Sequence, residues 1–230
     1  MSRTKSFGSI INNLQKTYGK PAPPKTNDPF ELILLDNIAY LVDDNRRELA
    51  FDQLRDLVGL LPENILAAPI EDLTKITKLG GMQPERRAWR LKECAQILLN
   101  DFSGNLTSVL QLPLAKAIKS LKKFPSIGEP GAEKILLFTG SYPILALESN
   151  GLRVLLRLGF GEEKKNYAAS YKSVKESLAN EIGSESGPLV EAHQLLRQHG
   201  KETCKSNRPQ CTRCVLRSDC EFYRRMSDML

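Results

Sequence analysis

The chain has 230 residues, of which 41% are hydrophobic and 26% charged, ordinary globular values that allow one large domain or two small ones, each with its own core. The formal net charge of +6 and a pI near 9.0 permit a polyanionic partner without requiring one. No apolar run reaches the ~18 residues of a membrane span, so a membrane-spanning helix is not expected.

The opening stretch, MSRTKSFGSIINNLQKTYGK, has no apolar core ahead of a cleavage site, so no secretory signal is expected. The expected location is intracellular: cytoplasm or nucleoid, or the nucleus in a eukaryote. Structural disulfides are not expected there among the five cysteines. Phe7, Ile10, Ile11, Leu14 and Tyr18 recur at helical spacing and predict a first helix. The Pro-rich GKPAPPKTNDP then reads as an extended boundary. From Pro29, PFELILLDNIAYLV predicts a strongly apolar helix with Asp28 as its N-cap and proline at the first helical position. Further helices are expected over residues 46–58, 70–77, 85–100, 114–123, 132–139, 152–158, about 167–182, and 188–199. One segment, SYPILAL, has strand character but no pairing partner in the sequence. Internal repeats of 20–50 residues are absent. The expected fold class is all-α, a compact array of many short helices.

Near the C-terminus, CKSNRPQCTRCVLRSDC places Cys204, Cys211, Cys214 and Cys220 at C-x6-C-x2-C-x5-C. Four thiolates so close in sequence can converge on one metal centre, either tetrahedral zinc or an iron–sulfur cluster. Zinc ribbons usually present two C-x2-C knuckles, and this loop has one. The loop is also cationic, with Arg208 and Arg213 among its bases, and a metal-tied loop with that surface suits a phosphate backbone. Cys94 falls at an apolar helical position and reads as a buried core thiol.

The stretch KKFPSIGEPGAEKILLFTG predicts a tight turn between two helices. Lys122 and Lys123 lead into Ser126, Ile127 and Gly128, with Gly131 just beyond. A helix–turn–helix of this kind presents backbone N–H groups at a helix N-terminus, a ready site for an anion. Ala132 is small enough for the two helices to approach closely.

Hairpin and cysteine loop together resemble one family, the helix-hairpin-helix DNA glycosylases of the endonuclease III type. The cysteine spacing is that family's, and the hairpin lies upstream of it at the family's distance. DPFELILL resembles the family's PFELL opening. GGMQPERRAWRLKECAQILL loosely resembles its G-x-x-x-x-K-A-x-x-I helix, with Arg86 at the lysine. ALESNGLRVLLRLG resembles the A-V-D-T-N/H-x-x-R-V segment. The resemblance spans roughly residues 29–222. It implies a six-helix barrel carrying the hairpin over residues 24–142, and an iron–sulfur domain built from residues 1–23 and 143–230. It further implies a [4Fe–4S] cluster on the four cysteines. The implied partner is double-stranded DNA, damaged or distorted, gripped across a cleft by a monomer with a base flipped out.

Three positions depart from the family. Its Schiff-base lysine falls on Pro130, which has no amine to attack a sugar. Its catalytic aspartate falls on Glu148, one methylene longer; the alternative reading is a carboxylate favourable to a helix N-terminus, with Ser149 or Asn150 as the cap. The glutamine that fills the gap of the flipped base falls on Leu41, with Tyr40 before it and Asp44 at the family's aspartate. Leu41 or Tyr40 would then be a wedge in the base stack, or else a core residue of an apolar helix. The expectation is a monofunctional DNA N-glycosylase of base excision repair acting through Glu148. The alternatives are a catalytically inactive binder of distorted or abasic DNA, and a bifunctional glycosylase/AP lyase.

Overall fold

A computed structural model describes residues 6–227. Among them are thirteen α-helices and two single-turn 3₁₀ helices, and the sole β pairing is an isolated bridge between Tyr40 and Gly81. The fold is all-α, as the spacing of apolar residues leads one to expect. Among the described residues no helix is long and apolar enough to cross a membrane. SYPILAL makes no strand; residues 143–148 run without regular structure into the next helix.

The chain separates into two compact units, Lys25–Ser141 and Met1–Pro24 with Tyr142–Leu230, each described in turn. The first contains α2 (Pro29–Ile38), α3 (Asp44–Leu57), α4 (Pro62–Ala67), α5 (Ile70–Leu79), α6 (Pro84–Phe102), α7 (Thr107–Leu110), α8 (Leu114–Leu121) and α9 (Glu129–Phe138). The sequence reading omits the short helices α4 and α7, which are too brief to show an apolar period. Helix α2 is apolar almost all round, burying Phe30, Leu32, Ile33, Leu34 and Ile38, and it packs on α3, α6 and α9. Asp28 caps it by accepting from the Phe30 and Glu31 amides at 2.8 and 2.9 Å. Helix α6 buries Arg87, Ala88, Leu91, Cys94, Ala95 and Leu98 on one face, so Cys94 is the core thiol its position suggests. Burial raises the pKa of that thiol.

Among the described residues Arg87 is the largest fully buried side chain, and its guanidinium acts as a fastener. It donates to the carbonyls of Ile38 (2.6 Å), Thr77 (2.7 Å) and Gly81 (2.6 Å). The ends of α2 and α5 and the turn before α6 are thereby held on one planar group. Gly80 and Gly81 allow the approach. A Cβ on Gly80 would lie 2.3 Å from the Ile38 carbonyl oxygen, and Gly81 has φ +100°. Burial lowers the Arg87 pKa, since the charge has left water for a shell of carbonyl dipoles.

The second unit contains α1 (Phe7–Tyr18), α10 (Ser149–Leu158), α11 (Tyr167–Leu178), α12 (Ser186–Glu202), two 3₁₀ turns (Cys211–Arg213 and Arg217–Asp219) and α13 (Glu221–Ser227). Helix α10 packs on α11, α12 and α13, and α1 packs on α12. Where α10 and α12 cross, a Cβ on Gly200 would sit 2.7 Å from both the Asn150 Cβ and its carbonyl oxygen, so only glycine fits. Residues 1–5 and 228–230, the ends of the expected iron–sulfur domain, lie outside the described residues.

Replacing Arg87 with leucine leaves two buried carbonyls and one part-buried carbonyl short of a donor, and destabilisation of about 3–5 kcal/mol is expected. Arg87→Lys should recover only part of it, because one ammonium cannot match the planar fork. Chemical denaturation followed by circular dichroism measures both.

Candidate functional site

The hairpin joins α8 to α9. Phe124 is buried and stacks on Phe102 with centroids 5.6 Å apart; Ile127 is buried beneath the turn. Asn37 donates to the Pro125 carbonyl at 2.9 Å and so fixes the turn to α2. Ser126 has φ +64°, a left-handed conformation uncommon for a residue with a side chain. Gly128 has φ −88° and is the N-cap of α9. Its lack of a side chain opens the helix end rather than relieving strain. No side chain caps this end, and a Cβ on Gly128 would meet only the Pro130 ring at 3.8 Å. Helix α9 begins at Glu129, three residues earlier than the apolar period predicts, so Gly131 lies within its first turn.

Pro130 also sits in that first turn, where a missing N–H costs no internal hydrogen bond. Lys134, one turn further on, is turned to Asp36 with Nζ and Oδ1 2.5 Å apart, both part-buried. That pairing ties α9 to α2. Lys122 is exposed. Lys123 is exposed too, but its ammonium bonds Asp101 at 2.8 Å and lies 5.4 Å from the Phe102 ring centroid. Of the two lysines, Lys122 is the one with no such tether shown.

The expected wedge residues are not on a helix. Helix α2 stops at Ile38, and the next residues leave it with Leu41 at φ +55°. Tyr40 is 53% exposed and Leu41 71%, which overturns the reading of both as core residues. The helix expected over 29–42 therefore stops before its apolar run does, and the Tyr40 amide pairs with the Gly80 carbonyl at 2.9 Å instead of with its own turn. Met82, 57% exposed, follows the same bridge on its other side, a residue the sequence reading passed over. The double glycine before it was the available signal. Asp44 is the first residue of α3, and Asp43 caps that helix through the Arg46 amide.

In the other unit, Glu148 is itself the N-cap of α10, which corrects the expectation of Ser149 or Asn150 there. Its Oε1 accepts from the Gly151 amide at 2.7 Å and its Oε2 from the Asn150 side-chain amide at 2.7 Å. The carboxylate thus folds back on the first turn of its own helix, as the shorter Asp28 and Asp43 do on theirs. Asn150 in turn accepts from Arg153 Nη2 at 2.7 Å. Arg153 also donates to the carbonyls of Gly200 (2.8 Å) and Cys204 (2.9 Å). The segment before Glu148 is clamped as well. The Tyr167 hydroxyl donates to the Leu147 carbonyl, the Leu147 amide donates to Tyr171 Oη, and His193 Nδ1 lies 2.7 Å from the Ala146 carbonyl oxygen. Burial, then the neighbouring Glu148 charge, pushes the Tyr167 pKa up to about 12.

The cysteine loop hangs from the end of α12. Cys204, Cys211, Cys214 and Cys220 line one small cavity closed by Arg157 and Phe222. Arg157 Nη1 is 3.4 Å from the Cys204 sulfur and donates to the Lys205 carbonyl at 2.7 Å, while its guanidinium lies over Phe222. Burial, and then the facing sulfurs, raise the Cys211 thiol; burial takes Cys214 up to about 11. Four mutually opposed thiols in an apolar enclosure are a donor set that a soft, positively charged metal group relieves, so these residues fit one. Among the described residues no three metal-binding side chains converge as a site for a single ion. Arg208, at φ +55°, and Arg213 are exposed on the loop. Behind it, His199 is buried and its pKa falls to about 4.

No protein-family model matches the chain. It is 29% identical over 201 residues to a protein named Endonuclease III from Sulfolobus acidocaldarius, covering 86% of this chain and 84% of that one. It is 28% identical over 206 residues to Endonuclease III from Thermotoga maritima, covering 89% and 88%. The structure of a thermostable thymine-DNA glycosylase superposes with a TM-score of 0.74 at 18% identity, over 95% of this chain and 97% of that one, and so shares its fold. The hairpin, the cysteine loop and these whole-length likenesses support an endonuclease III-like place in the helix-hairpin-helix DNA glycosylase superfamily.

Proposed function

We propose that the chain is a DNA N-glycosylase of base excision repair that releases a damaged or mismatched base from double-stranded DNA and leaves the strand uncut. The observation that carries this reading is a pair of replacements. Proline stands where a Schiff-base lysine would be, and the lysine one turn away is bound to Asp36. A carboxylate is kept at Glu148, oriented by two N–H donors. The uncapped end of α9, with Ser126, Ile127, Gly128 and Gly131 around it, holds a DNA phosphate on backbone amides, and Lys122, Arg208 and Arg213 add positive charge. Tyr40, Leu41 and Met82 are apolar groups raised clear of the surface, suited to entering an opened base stack.

In the reaction, the glycosidic bond breaks with its electron pair going to the departing base. Positive charge develops on the sugar, and the Glu148 carboxylate opposes it. Water then adds at the sugar carbon and gives up a proton. With no amine at position 130, no covalent enzyme–sugar adduct forms there. The residues 25–141 make the hairpin-bearing barrel and the remainder the cluster domain. Cys204, Cys211, Cys214 and Cys220 would hold a [4Fe–4S] cluster, the family's group, in preference to zinc. When bound it ties the cationic loop into a fixed surface for the phosphate backbone.

A second reading, a binder of distorted or abasic DNA without turnover, is favoured by one observation: both Glu148 oxygens already have partners on their own helix. Base release from a panel of damaged and mismatched duplexes separates the two. Glycosylase action predicts release that falls roughly 100–1,000-fold in Glu148→Gln, with duplex binding retained. Binding without release from any duplex would establish the second reading. For the metal group, purified protein is expected to contain iron and acid-labile sulfide in equal amounts, and Cys214→Ser to lose both. Zinc in their place, by elemental analysis, would overturn the assignment.

A further inference from the structure

Behind the cysteine loop lies a chain of polar groups that the proposed reaction does not use. His199 is 1% exposed, on the last turns of α12. Its Nδ1 is 2.9 Å from the Tyr18 hydroxyl, and its Nε2 is 3.5 Å from the Cys214 sulfur. The Tyr18 hydroxyl is also 3.0 Å from Thr203 Oγ1. The rings of Tyr18 and His199 meet edge to face, with centroids 5.9 Å apart. Tyr18 is the last residue of α1, so the first helix of the chain reaches the cysteine loop through this contact.

The order of donors follows from the sulfur. A metal-bound cysteine sulfur carries no proton, so the ring nitrogen facing it must donate. Nε2 then bears the hydrogen and Nδ1 is an acceptor. The Tyr18 hydroxyl must donate to Nδ1, which leaves its oxygen to accept from Thr203. Each group has one role, and none is left unmatched. A second N–H donor, Arg157 Nη1, faces the Cys204 sulfur at 3.4 Å.

Resting on the cluster assignment above, we propose that His199, held in one tautomer by Tyr18, donates an N–H···S hydrogen bond to Cys214 that raises the reduction potential of the cluster and slows its loss. A donor aimed at a ligand sulfur withdraws negative charge from it and favours the more reduced, more negative state. His199 and Tyr18 are positioning residues in this account and touch no DNA. Loss of one such bond is worth about threefold to tenfold in the redox equilibrium, which is ~30–60 mV for one electron.

The test uses full-length holoprotein: wild type, Tyr18→Phe and His199→Phe, with iron and sulfide measured first. Reduction potential is taken by spectroelectrochemical titration, and iron release to a chelator is timed. Both variants are expected to titrate ~30–60 mV below wild type and to release iron threefold to tenfold faster. Tyr18→Phe removes a single hydroxyl and keeps the ring, so it decides the matter alone if His199→Phe does not fold. Wild-type potential and release rate in Tyr18→Phe would overturn the proposal. A wild-type chain lacking iron and sulfide would fail the cluster assignment and this proposal with it, and the metal content tells that failure apart.

Discussion

Arg153 makes three bonds that the rest of its unit depends on. Its guanidinium reaches the Asn150 side chain, the Gly200 carbonyl and the Cys204 carbonyl. One planar cation therefore sets the orientation of the amide that holds Glu148, ends α12 and starts the cysteine loop. It is part-buried, and burial lowers its pKa, so the arrangement needs the carbonyl dipoles that surround it. Gly200 makes the approach possible, since any Cβ there would strike Asn150. The carboxylate and the cysteines are separated by more than fifty positions in sequence, and this one side chain links them.

The other unit is organised in the same way. Arg87 gathers three carbonyls where helix ends meet, and around it the chain leaves α2 early to expose Tyr40 and Leu41. The hairpin is fixed separately, through Asn37 on the Pro125 carbonyl and Lys134 on Asp36. A lysine committed to an ion pair is a poor nucleophile, and the proline in the first turn of α9 offers none.

Much of this was legible in the sequence. Apolar spacing located the long helices, Asp28 before Pro29 marked the start of α2, and the cysteine spacing together with the hairpin carried the resemblance that the whole-length likenesses support. What was not legible has a common cause. Helix ends are decided by tertiary partners, not by local period. The apolar run through Leu41 looks helical, yet the bridge to Gly81 takes the Tyr40 amide out of the helix. Glu148 as the cap is a matter of where the helix begins, at Ser149, and spacing carries no sign of it. Arg87 and Arg86 are adjacent and alike in sequence. Only packing shows that Arg87 is buried while Arg86 is exposed. Tyr18 and His199 are 181 positions apart, and nothing local pairs them.

The central claim is that this chain breaks the glycosidic bond without attacking the sugar itself. It is tested most directly by incubating the protein with a duplex it processes, in the presence of borohydride, and resolving base, strand and protein–DNA products from the same sample. The account predicts free base, an intact strand that breaks only on later alkali treatment, and no trapped adduct. A borohydride-stable protein–DNA adduct with strand cleavage to match would contradict it.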